Sequence, residues 1–174
     1  MNPHPDRRVT KSLKFSVLDG IFAHSMIGFT QDFFTPFLLL LGGGARHVGL
    51  LSSLPNLAAA LVQLKCADIT ERIGSRRKII NLFVLLQATV LIPMAWIALR
   101  QGASPWHFII LVTLFTSCAA FAPPAWASLM SDLVPQERRG EYFGWRSRLL
   151  GCVMVAAACL AGFMLYQMKM MNAF

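Results

Sequence analysis

IINLFVLLQATVLIPMAWIAL, residues 79–99, runs without a single Asp, Glu, Lys or Arg. An α-helix rises 1.5 Å per residue, so about 20 apolar residues cross the roughly 30 Å hydrocarbon core of a bilayer. A soluble helix of that length keeps one wet face, and this stretch offers none. WHFIILVTLFTSCAAFAPPAWASLMS (106–131) and LLGCVMVAAACLAGFMLYQM (149–168) are equally free of those four residue types. Two more stretches, 15–41 and 48–67, are long and apolar enough to join them. The expected fold is therefore all-α, a polytopic transmembrane helix bundle of five spans within residues 15–168. Residues 1–14 form a basic cytoplasmic tail and 169–174 an extracytoplasmic one.

Composition agrees. The chain is 56% hydrophobic and 14% charged, against about 25% charged in an ordinary soluble domain. A cleaved signal peptide would also place basic residues (Arg7, Arg8, Lys11, Lys14) before an apolar run, but this run is too long and lacks an Ala-x-Ala exit. Cys66, Cys118, Cys152 and Cys159 lie singly in or at the ends of spans, without the spacing of a disulfide framework or a zinc site. No metal and no cofactor is expected.

The net charge of +8 would suit nucleic acid or an anionic surface, but its placement argues for a membrane and against nucleic acid. Lys and Arg alternate by loop: thirteen fall in the amino-terminal tail, after span two and after span four, against three (Arg46, Arg100, Lys169) on the other side. Cytoplasmic loops carry the excess of basic residues. The amino terminus is thus expected in the cytoplasm, the carboxyl terminus outside, and the chain in the plasma (inner) membrane. Trp96 and Trp106 flank the short outer loop, while Tyr142 and Trp145 sit by an inner one, where amphipathic rings favour the headgroup layer.

Span one is the least apolar. Projected at 100° per residue, His24, Gly28, Gln31 and Thr35 share a narrow stripe, with Ser25 and Asp32 at its edge. Inserting a carboxylate at such depth costs on the order of 3 kcal/mol, so it belongs in a wet cavity or beside a partner. Asp32 is the leading candidate to carry a proton or cation, with His24, Gln31 and Thr35 beside it. An interfacial Asp32 paired with a neighbouring helix is the plainer reading, as is a hydrogen-bonded packing role for His24. Pro36 removes a backbone hydrogen bond, letting the helix bend or open near Asp32.

In span two, Ser52, Asn56 and Gln63 share a stripe beside Pro55. Asn56 joins the substrate candidates, although helix-to-helix hydrogen bonding explains such residues equally well. Tandem Pro123 and Pro124 must disrupt span four. In span five, Ala157-x3-Ala161 and Ala158-x3-Gly162 have the spacing that lets membrane helices approach closely.

The loop after span two reads Ala67-Asp68-Ile69-Thr70-Glu71-Arg72-Ile73-Gly74-Ser75-Arg76-Arg77-Lys78. It resembles the G-x3-[DE]-[RK]-x-G-x-[RK]-[RK] loop between helices two and three of the major facilitator superfamily. Glu71, Arg72, Gly74, Arg76 and Arg77 match, and Ala67 stands where the leading Gly is expected. A second segment, Asp132-x2-Pro135-x2-Arg138-Arg139-Gly140-x-Tyr142-Phe143-Gly144, is similar to the family's loop between helices four and five. The resemblance covers all five spans, the front part of a pattern of about twelve helices in two halves.

It implies alternating access, a cavity lined by helices one and four, and a latch formed by the Glu71 and Arg loop against the opposite half. Span five lacks the G-x3-G-P-x2-G-G type signature of drug–proton antiporters. The expected function is transmembrane transport of a small solute, as the amino-terminal part of such a transporter. Its expected partners are the lipid bilayer, a small-molecule solute and the missing carboxyl-terminal helices or a partner chain. The alternative is a small structural or regulatory membrane protein without transport of its own, binding other helices through Ala158 and Gly162. An enzyme is not expected: the eight acids form no paired-acid metal motif, and no nucleophile stands with a base.

Overall fold

The computed structural model describes residues 7–99 and 103–171, with side chains for 11–66, 68–72, 74–99 and 103–167. Residues 1–6 of the expected tail, Arg100 in the outer loop and 172–174 lie outside the described residues. The elements are α1 (Arg7–Thr30), a 3-10 turn (Gln31–Phe33), α2 (Phe34–Leu40), α3 (Ala45–Ile73), α4 (Arg76–Leu99), α5 (Pro105–Ala119), α6 (Ala122–Leu133), a second 3-10 turn (Gln136–Arg138) and α7 (Arg139–Met171). Among the described residues there is no strand.

Four segments are long and apolar enough to cross a membrane: Ala45–Cys66, Arg76–Leu99, Pro105–Leu133 and Gln136–Gln167. The first expected span, 15–41, is divided between α1 and α2 by the 3-10 turn. Pro36 follows the turn, and its missing N–H leaves the Asp32 carbonyl without its intrahelical donor. Helix ends also overrun the expected spans. α1 begins at Arg7, within the expected tail, and α7 begins at Arg139 rather than 149. Backbone hydrogen bonding continues into polar sequence; apolar composition marks the hydrocarbon depth, not the helix length.

The chain forms two compact units. In the first, α1 packs against α7. Glycine sets their separation: a Cβ on Gly28 would collide with the Met154 carbonyl oxygen and lie 2.9 Å from Ala157 Cβ. Ala157 and Ala161 are buried on the facing side. Ala157 of span five thus meets α1 within the chain.

The second unit, Phe34–Met130, packs α3 and α4 on α5, with α2 against α3 and α5. Phe34 and Phe37 meet Phe108 edge-on at 5.9 and 4.9 Å, and Phe34 meets Phe115 at 5.9 Å. Elsewhere Phe83 stacks on Phe121 at 3.6 Å, beside buried Cys66 and Ile79. Ser104 caps α5 by accepting the Trp106 N–H at 3.4 Å, with Pro105 in the first turn, where its missing donor costs nothing.

Only 11% of the apolar window of α3, and the same share of α4, is buried within the chain. Leu64 is 75% exposed, Leu85 63% and Ile92 69%. Burying a leucine is worth about 2 kcal/mol, so in water these faces would demand cover; in lipid they need none.

Candidate functional site

A crevice of about 510 Å³ lies in the second unit, between the α3–α4 turn and α6. One wall is the end of α3, with Gln63, Cys66, Thr70 and Glu71; the other is Pro124, Ala125 and Ser128. Gly74 makes the turn. It ends α3 with φ 66° and ψ 7°, donating its N–H to the Thr70 carbonyl at 3.1 Å, a left-handed geometry that suits glycine at a helix carboxyl end. α4 starts two residues later, which brings Arg76 to the crevice; its guanidinium donates to the Ser128 carbonyl at 3.4 Å.

The far wall follows from the tandem prolines. Neither Pro123 nor Pro124 can donate to the carbonyls of Ala119 and Ala120, and the helix breaks there: α5 ends at Ala119 and α6 starts at Ala122. Within this break the Phe121 carbonyl accepts the buried Cys66 thiol at 3.9 Å. The crevice therefore carries a carboxylate (Glu71), a guanidinium (Arg76) and apolar floor atoms. Arg72 and Arg77 are exposed and do not line it. The side chain of Ala67 lies outside the described residues.

Residues of the α1 stripe divide by environment. His24 is half-buried and its Nδ1 pairs with the Gly20 carbonyl at 2.9 Å, while Gly28 is buried against α7. Gln31 and Asp32 are exposed in the 3-10 turn, and Asp32 makes no hydrogen bond or ion pair among the described residues. The projection assumed α-helical rotation through Thr35, but a 3-10 turn advances about 120° per residue. The exposed Thr35 of α2 therefore falls out of that register. Asn56 is exposed on α3 and donates to the Ser52 carbonyl at 2.7 Å.

In the second motif, Pro135 precedes the 3-10 turn and only 134–138 separate α6 from α7. Arg139 closes the end of α6: its Nε donates to the Val134 carbonyl at 3.1 Å and its Nη2 to the Ser131 carbonyl at 2.5 Å. A guanidinium on terminal carbonyls satisfies orphan acceptors and complements the helix dipole. Asp132, Arg138 and Gly140 are exposed.

Two features escaped the sequence reading. Gln87 of α4 is 7% exposed, a buried amide inside an apolar helix; as a lone polar residue it formed no stripe. Arg146 of α7 donates to the Ser16 carbonyl of α1 at 3.3 Å, above Gly20, where a Cβ would meet the guanidinium at 2.5 Å. Its signal was a basic residue i+7 from Arg139 on a helix that reads as loop. Among the described residues no group of three or more His, Cys, Asp or Glu could hold a metal.

The family model described as Major Facilitator Superfamily matches residues 20–171. No curated protein and no solved structure matches the chain.

Proposed function

Since the chain belongs to the Major Facilitator Superfamily, a family of membrane transport proteins, we propose that it contributes the amino-terminal helices of a small-solute transporter working by alternating access. The observation that carries this reading is the break in the first span. A 3-10 turn at Gln31–Phe33 leaves Gln31 and Asp32 exposed between two helix segments, with freed backbone groups that lipid cannot satisfy. Such a break is tolerable beside a wet cavity, and a carboxylate there is suited to proton or cation coupling. We assign coupling to Asp32 and solute contact to Gln31, Thr35, His24 and Asn56.

The crevice around Glu71, Gly74 and Arg76 serves as the latch of this scheme, offering one carboxylate and one guanidinium to helices outside the chain. Arg72 and Arg77 belong to the same cytoplasmic loop, and Asp132, Pro135, Arg138, Arg139 and Gly140 to the second one. The amino terminus and both basic loops face the cytoplasm of the plasma (inner) membrane, and residues 169–174 lie outside. Ala157 packs on α1, whereas a Cβ at Gly162 would meet nothing within 4 Å.

Transport in liposomes tests it. The chain alone should give no saturable uptake. Joined to the remaining helices of a family transporter, it should take up solute with a pH dependence that Asp32→Asn abolishes. Saturable uptake by the isolated chain, or an unaltered pH profile in the variant, would overturn the assignment.

A further inference from the structure

In the first unit, α1 and α7 leave an apolar groove of about 260 Å³ lined by Leu13, Lys14, Val17, Tyr142 and Trp145. Its exposed polar surface is almost nil, yet a lysine stands at its rim. Lys14 is exposed and makes no ion pair or hydrogen bond among the described residues. Trp145, which lines the groove with Tyr142, is 55% exposed. An open apolar slot with an uncommitted cation at its rim describes an amphiphile's two ends.

We propose that this groove binds one anionic phospholipid, its acyl chain along Leu13, Val17 and Trp145 and its phosphate on Lys14. Charge complementarity selects the anionic class. Arg7, Arg8, Lys11 and Lys14 are the only charged residues of α1 before Asp19. The exposed acids Asp19 and Glu141 oppose it, so the sum still favours an anion. Lysine, tryptophan and tyrosine are the side chains that settle at headgroup depth. The inference needs only that the chain sits in a bilayer, and it stands whether or not the transport reading does.

The test is tryptophan quenching in phosphatidylcholine vesicles holding the chain and a minor fraction of brominated lipid. The Trp145 signal is taken as the difference between the native chain and Trp145→Phe. Brominated phosphatidylglycerol should associate about fivefold more strongly than brominated phosphatidylcholine, the effect of one lysine at an anionic headgroup. Lys14→Gln should remove that preference, whereas Arg148→Gln, outside the groove, should keep it. Equal quenching by the two lipids, equal losses in the two variants, or reversal by free inorganic phosphate would each overturn the proposal. Unchanged circular dichroism of the variants secures the comparison against misfolding.

Discussion

Single residues decide how closely the helices meet. Gly28 and Gly144 both occupy helices, where glycine costs about 1 kcal/mol relative to alanine. Their surroundings are opposite. A Cβ at Gly28 strikes the α7 backbone, while one at Gly144 meets nothing within 4 Å. Overpacking costs about 1–3 kcal/mol and outweighs the propensity gain, so Gly28→Ala should lower the melting temperature of the detergent-purified chain. Gly144→Ala should leave it unchanged or raise it. Differential scanning fluorimetry reads both, and a Gly28→Ala melting point at or above the native one would refute the close approach. Sequence projection grouped Gly28 with His24, Gln31 and Thr35 because it reports which residues share a face. What that face meets depends on α7, more than a hundred residues further along the chain, and no single-helix wheel contains it.

At the level of elements, the helices were legible because lipid exposure demands uniform apolarity, and the breaks because proline lacks a donor. Their exact reach was not. Pro55 and Pro93 sit inside unbroken α3 and α4, whereas Pro36 and the Pro123–Pro124 pair follow interruptions. Thr30 bonds back to the Met26 carbonyl at 2.7 Å before the first break, yet Thr89 bonds back to Leu86 at 2.7 Å before unbroken Pro93. Local sequence does not separate these cases. Replacing both residues, Pro123→Ala with Pro124→Ala, restores two donors and should fuse α5 with α6. Amide exchange across residues 116–126 would then slow by about tenfold, the effect of about 1.4 kcal/mol in added hydrogen bonding. Exchange as fast as in the native chain would mean that the interruption has a cause other than the prolines.

For the whole molecule, the solvent is the deciding partner. Most of the apolar windows of α3, α4 and α7 face outward, so the chain is held by lipid outside and by small, close-packed contacts inside. Basic residues then record orientation, because moving them across the bilayer during insertion is unfavourable. The proposal places the α3–α4 turn in the cytoplasm and the α4–α5 connection outside. Ser75 stands in that turn, half-buried, and Ala103 stands in the connection just before the α5 cap. In a background with Cys66, Cys118, Cys152 and Cys159 changed to Ala, Ser75→Cys should react with a membrane-impermeant maleimide only in inside-out vesicles. Ala103→Cys should react in intact cells. The reverse pattern would invert the topology and move the Glu71, Gly74 and Arg76 crevice to the outer face, where it could not latch the cytoplasmic side.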